Sequence, residues 1–326
     1  MVDANGMLEA IEGMAAQLLA GEEIGAAAGA GLPRPTAVVI AGMGGSAMSG
    51  ELLRALVMAD APVPVTRVRG FGIPSWAGPG TLVVCSSYSG DTVETLACAD
   101  QARRQGAELL CIGMGGGLGE RAETWGVPFA RVPGGLPPRA ALGYLFGSMA
   151  GAFAACGLAP TDIAAECAAG VRAADREAAA VLGRRLARMV PLVYGAGPLA
   201  AVAYRWKTQL NENAKMHAFS HAFPELDHNE IEGWDGAAEG MFAAVMLRDG
   251  NESPDLARLI DVTADLIGSD AALVEHVYGR GDSSAARAFS MVAHGDWVSY
   301  HAALERGVDP SPVERIGALK QRMAPG

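Results

Sequence analysis

The sequence predicts an α/β protein built as two tandem, doubly wound parallel sheets with flanking helices. Three observations carry this. Short, fully apolar runs of β-type residues alternate with helical patterns, as strands covered on both faces require. The alternation restarts past the middle of the 326-residue chain. And Val39-Ile40-Ala41-Gly42-Met43-Gly44 lines up with Leu192-Val193-Tyr194-Gly195-Ala196-Gly197, an offset (195 − 42 = 153) close to half the length.

In order, residues 36–42 read as a strand and 46–59 as a helix opening on glycines. Strands follow at 63–68 and 82–86, then a helix at 91–105, a strand at 108–113 and a short helix at 119–125. The run 127–132 contains Pro128, which confines it to a sheet edge. Pro137 and Pro138 introduce a 22-residue stretch without charge, residues 140–161. Its length would permit a membrane span, but Ala, Gly, Ser and Pro dominate it and no basic cluster flanks it. We read it as a buried helix that also offers apolar surface at a subunit interface. Pro160-Thr161-Asp162 marks the boundary between domains at 1–158 and 159–326. Beyond it come a charged helix at 162–188, a strand at 190–197, a helix at 199–213, a strand at 242–247, a helix at 254–266 and a strand at 271–277. Helices at 283–305 and 312–323 close the chain.

Composition narrows the function. Half the residues are hydrophobic and 19% are charged, which excludes a disordered chain. Lys+Arg 25 against Asp+Glu 36 gives −11, leaving no basic surplus for nucleic acid. An anionic small molecule would need positive potential supplied locally. Lysine occurs at only three positions (Lys207, Lys215, Lys320). Five scattered cysteines without a CxxC pair, and an acidic N-terminus without a basic leader, predict reduced thiols in the cytoplasm.

Three segments carry chemistry. Gly42-Met43-Gly44-Gly45-Ser46-Ala47 sits at a strand-to-helix turn, where glycines admit a ligand to the backbone and a helix presents free amides. It also fits the dinucleotide pattern GxGxxA, but the acid that should hold a ribose is replaced by Arg67 and Arg69, so only a 2′-phosphate version of that reading stays open. In Cys85-Ser86-Ser87-Tyr88-Ser89-Gly90-Asp91-Thr92, hydroxyls crowd another helix start, as suits a phosphate dianion; ordinary capping by Asp91 or Thr92 is the plainer alternative. Residues 209–234 hold three His, five acids and four amides bracketed by apolar side chains, which suggests half-buried catalytic carboxylate and imidazole. His217, His221 and His228 could be imagined as metal ligands, but no carboxylate stands at HExxH-type spacing and no thiol is near, so we expect no metal.

These residues, with Pro138-Arg139-Ala140-Ala141-Leu142-Gly143-Tyr144, Asn211-Glu212-Asn213-Ala214-Lys215 and Pro224-Glu225-Leu226-Asp227-His228-Asn229-Glu230-Ile231, stand in the order seen in one family. The chain resembles the bifunctional phosphoglucose/phosphomannose isomerases of the sugar isomerase (SIS) superfamily. The resemblance implies two SIS-type domains and an aldose–ketose isomerase acting on phosphorylated hexoses through a cis-enediol, without a cofactor. It implies that Gly45, Ser46, Ser87, Ser89 and Thr92 hold the phosphate, and that Arg139 steadies the enediolate. Glu212 would move the proton, and Lys320 would contact the ring oxygen or a nearby hydroxyl. His228 would assist ring opening in the neighbour's site, making a homodimer with shared active sites. Alternatives are an amino-sugar phosphate isomerase of the same superfamily and a sugar-phosphate-binding regulator without turnover.

Two positions depart from the pattern: Asp91 where Asn is common, and Ser311-Pro312 where the family has Thr–Pro. That hydroxyl is linked in the family to acceptance of the mannose epimer. The second half's matching turn, Gly195-Ala196-Gly197-Pro198, lacks hydroxyls, so one site per chain is expected, in the first domain.

Overall fold

The computed structural model describes residues 3–323, apart from the side chain of Lys320. Two N-terminal helices, α1 (Met7–Glu12) and α2 (Met14–Gly29), precede β1 (Ala37–Gly42), α3 (Gly44–Val57), β2 (Val65–Val68), β3 (Thr81–Ser86) and α4 (Val93–Gln105). Next come β4 (Glu108–Gly113), α5 (Gly116–Trp125), β5 (Phe129–Arg131), α6 (Leu142–Ala155), α7 (Ile163–Ala173) and α8 (Arg176–Leu186). The second half contains β6 (Val190–Ala196), α9 (Pro198–Glu212), β7 (Phe219–Phe223), β8 (Phe242–Arg248), α10 (Pro254–Ile267), β9 (Leu273–Tyr278), α11 (Ser284–Glu305) and α12 (Glu314–Met323).

Both sheets are parallel and repeat one winding. The first runs β2-β1-β3-β4-β5 and the second β7-β6-β8-β9, the same order without the last strand. In each, the first strand of the unit lies between the second and the third, so the turn that leaves it opens into the crevice where the chain reverses direction. Side-chain alternation along β1 explains the layers. Val38 and Ile40 enter the large core shared with the second sheet, while Val39 and Ala41 pack with Val83, Cys85 and Cys111 under α4 and α5. In the second sheet Val193 faces the shared core and Tyr194 the separate cluster beneath α10. All five cysteines are buried free thiols.

Three expectations need correction. The charged segment 162–188 is two helices, because Asp175 stops one and caps the other, its carboxylate accepting the Ala178 amide at 2.9 Å. β7 adds an edge strand inside the polar segment 209–234, whose alternation was masked by His221. Finally, the uncharged helix does not supply a free apolar face: α6 is buried within the chain along most of its length, under α2. The turn 157–162 joins α6 to α7. Among the described residues, no helix is long and apolar enough to cross a membrane.

The α2–α6 contact is backbone against backbone. Gly21, Gly25 and Gly29 of α2 face Tyr144, Ser148 and Ala152, while Gly143, Gly147 and Gly151 of α6 face Gln17, Leu18 and Glu22. A β-carbon at Gly21 would lie 2.6 Å from the Tyr144 carbonyl oxygen, and one at Gly25 would overlap that of Ser148. Neither helix can yield, because each is fixed along its length. Gly25→Ala should therefore destabilise the fold by about 1–3 kcal/mol or more, read by urea denaturation. Gly236→Ala, where a β-carbon meets nothing within 4 Å, should stay within about 0.5 kcal/mol of the parent.

Candidate active site

Two strand-to-helix turns lie side by side because β1 and β3 are paired in parallel, with Gly42 opposite Ser86. They are tied together: the Ser46 hydroxyl at the start of α3 accepts the Tyr88 amide at 3.0 Å. In the second turn the Ser87 hydroxyl donates to Thr92 Oγ1 at 2.9 Å and accepts the Gly90 amide at 3.1 Å. Gly90 has φ +83°, and a β-carbon there would overlap the Gly115 carbonyl oxygen, so glycine is obligatory. Asp91 is turned away from this helix start. Its carboxylate accepts the Gly117 amide of α5 at 2.8 Å, which leaves α4 without a side-chain cap. The negative charge is thus spent on a neighbouring helix terminus, and the amides of α4 remain available to an anion. Ser89 is exposed at the rim, its hydroxyl accepting the Asp91 amide at 3.2 Å.

Arg67 and Arg69, the residues left for a 2′-phosphate, are both engaged elsewhere. Arg67 pairs with Glu51, and Arg69 lies 4.6 Å above the Tyr204 ring.

The first turn abuts Arg139. A β-carbon at Gly45 would stand 2.8 Å from the Pro138 carbonyl oxygen and 3.0 Å from Arg139 Cα, so this glycine serves close packing. The Arg139 side chain is only 4% exposed. Its Nε donates to Asn213 Oδ1 at 2.6 Å, and its Nη2 to the carbonyls of Pro310 and Ser311 at 2.7 and 2.9 Å. Nη1 faces Glu212 Oε2 at 3.6 Å, beyond a direct hydrogen bond. Burial pushes the guanidinium's pKa down, while the Glu212 carboxylate pulls it back up.

Behind Arg139 lies a buried polar frame. Asp296 of α11 accepts Arg205 Nε and Nη2 at 3.0 and 2.6 Å and Gln209 Nε2 at 2.9 Å. Arg205 Nη2 also reaches the Arg139 carbonyl at 3.2 Å. Burial raises the Asp296 carboxyl against the lowering influence of Arg205. Asn213 joins this frame through Ser299, whose hydroxyl accepts Asn213 Nδ2 at 2.9 Å, fixing which end of the amide meets Arg139.

Glu212, Lys215 and His217 line a cleft of about 850 Å³, closed on the far side by Asp309, Pro312 and the first turn of α12. The structure thus joins the two hydroxyl turns to Arg139, and Arg139 to Glu212. His228 is not brought to Glu212 within the chain: it is exposed, at the end of the turn after β7, and does not line this cleft. Half-burial, expected for both groups, holds for Glu212 alone. Lys320 belongs to α12, but its side chain lies outside the described residues. Among the described residues no three His, Cys, Asp or Glu side chains are grouped to hold a metal ion. Asn213, Lys215, Arg205 and Asp296 were not read as site residues from sequence. Asn213 and Lys215 flank Glu212 in one pentapeptide, but Arg205 and Asp296 carry no local signal.

Comparison with known proteins identifies the family. The chain is 39% identical over 302 residues to a bifunctional phosphoglucose/phosphomannose isomerase of Caldicellulosiruptor bescii, covering 88% of this chain and 89% of the relative. The chain belongs to this family. The domain model "bacterial phospho-glucose isomerase C-terminal SIS domain" matches residues 175–323. A D-glucosamine-6-phosphate 4-epimerase of Sulfolobus acidocaldarius is 31% identical over 69% of this chain and 72% of its own. In fold, the C-terminal domain of glucosamine-fructose-6-phosphate aminotransferase from Francisella tularensis superposes with TM-score 0.70 at 15% identity, covering 94% of this chain and 98% of that one.

Within the family fold, the Asn213 amide is what orients the buried cation. Asn213→Ala should leave Arg139 Nε without its acceptor, costing about 1.5–3 kcal/mol in denaturant unfolding. Turnover should fall at the same time, because the guanidinium loses its fixed direction.

Proposed function

We propose that the chain interconverts glucose 6-phosphate, and mannose 6-phosphate, with fructose 6-phosphate. The observation that carries this reading is the meeting of Arg139 Nη1 and the Glu212 carboxylate at 3.6 Å, at the edge of an open cleft. A base and a fixed cation at that spacing suit proton transfer next to a carbonyl. Glu212 takes the proton from carbon 2 of the open aldose and returns it to carbon 1, while Arg139 faces the oxygen on which negative charge develops. The cation is held in place beforehand, so little reorganisation accompanies the charge shift. The phosphate rests on Gly45, Ser46, Ser87, Ser89 and Thr92, where neutral donors and two helix starts favour a dianion on a chain of net charge −11. Being remote from the reacting carbons, its binding energy serves to place them.

In this reading residues 1–158 form the phosphate-holding domain, and residues 159–326 supply Glu212, His228 and Lys320. Ring opening falls to His228 of a second copy, and Lys320 contacts the sugar ring. The exposure of His228, away from the cleft of its own chain, supports a homodimer with shared sites. The protein would work in the cytoplasm, in hexose phosphate metabolism. A second reading, amino-sugar phosphate isomerisation, is favoured by the epimerase relative. A carboxylate poised at a cation favours turnover over simple binding, which needs no base.

Coupled conversion of fructose 6-phosphate to glucose 6-phosphate tests the reading, with glucosamine 6-phosphate as the competing substrate. Glu212→Gln should lower turnover by roughly 10²–10⁴ while substrate binding largely persists; near-normal turnover would remove Glu212 as the base.

Mixing Glu212→Gln and His228→Ala chains tests the shared site. A mixed dimer has one site with both defects and one with neither, so activity should return toward half the normal value. Exchange of subunits without recovery of activity would place His228 in its own chain's site.

A further inference from the structure

We propose that Lys215 is a positioning residue for the isomerisation, holding the Glu212 carboxylate in register with Arg139. The proposal rests on the isomerase reading above and deepens it. Lys215 has φ +54°, and it is the one non-glycine residue with positive φ among the described residues. An L side chain in that region is strained, and strain of this kind persists where surrounding contacts hold it. Here the contacts are specific. The ammonium donates to the carbonyl of Glu212, the last residue of α9, and to the Pro310 carbonyl at 3.2 Å. Pro310 is also the carbonyl that accepts Arg139 Nη2 at 2.7 Å. Two cations therefore converge on one oxygen, one anchored beneath the reacting oxyanion and the other beneath the base.

The left-handed turn and the contacts occur together: at φ +54° the ammonium folds back onto the end of α9. Electrostatics adds to geometry: an ammonium at a helix C-terminus offsets the partial negative charge there. Around Glu212 and Lys215 stand Arg139 from the segment before α6, His217 before β7, Asp309 in the segment before α12, and Glu314 and Arg315 in α12. Burial and Arg139 push the lysine's pKa down, and Asp309 and Glu212 pull it up.

The test compares Lys215→Met, Lys215→Arg and Lys215→Gly with the parent, each shown to be folded by its thermal melt. Fructose 6-phosphate turnover by the parent is measured first; an inactive parent defeats the isomerase reading itself. Lys215→Met should lower kcat about 10–100-fold with KM changed less than about threefold. Lys215→Arg should recover most of kcat. Lys215→Gly relieves the backbone without supplying a charge, so it should behave like Lys215→Met. The proposal is overturned if Lys215→Met keeps parental kcat, if KM rises as much as kcat falls, if Lys215→Arg fails to recover kcat, or if Lys215→Gly is as active as the parent.

Discussion

A guanidinium taken out of water must find an acceptor for nearly every N–H, and that requirement organises this protein. Arg139 meets it with an amide from the end of α9 and two carbonyls from the segment before α12. The remaining nitrogen is turned to the Glu212 carboxylate, which itself lines the cleft. The Arg205–Asp296–Gln209 frame then fixes the backbone that carries Arg139 and the helix that carries Asn213. Buried pairs of this kind are weak evidence for stability, since desolvation offsets much of their attraction. Here the frame is better understood as the means by which a cation is held, dry and aimed, at the Glu212 carboxylate.

The two halves show how one winding serves two purposes. Both sheets place their first strand between the second and the third and end it on a glycine turn. In the first half that turn, with its neighbour after β3, gathers hydroxyls and free amides. In the second half the turn carries Gly197 at φ +53° followed by Pro198, and the helix it starts is used at its opposite end, where Glu212, Asn213 and Lys215 gather. The repeat therefore gathers hydroxyls at the start of a helix in one half, and charged and amide side chains at the end of a helix in the other.

Much of this was legible in the residues. Fully apolar strands such as Val38–Ala41 have no other reading than burial on both faces, and the glycine and hydroxyl turns mark their ends chemically. Less legible were elements whose signal is tertiary. β7 carries Ser220 and His221 where an alternating strand would advertise itself, and α2 has small residues nearly all round, so neither face stood out. The uncharged helix was correctly read as buried, but its covering was assigned to another subunit, because a sequence does not say which helix fills a glycine groove. Arg205 and Asp296, 91 positions apart, acquire meaning only through each other. Asp91 looked like an intrusion of charge into a phosphate site until its partner on α5 was seen.

The carbonyls that satisfy Arg139 come from Pro310 and Ser311, the first of them 171 residues further along the chain. On a ribosome the first sheet, its hydroxyl turns and Arg139 all emerge well before those oxygens exist. Until Pro310 and Ser311 have emerged, the arginine lacks two of its acceptors and is better off hydrated. Burial of this cation is thus coupled to a late folding event: the first sheet can form its hydroxyl turns alone, but it cannot by itself dry and aim Arg139.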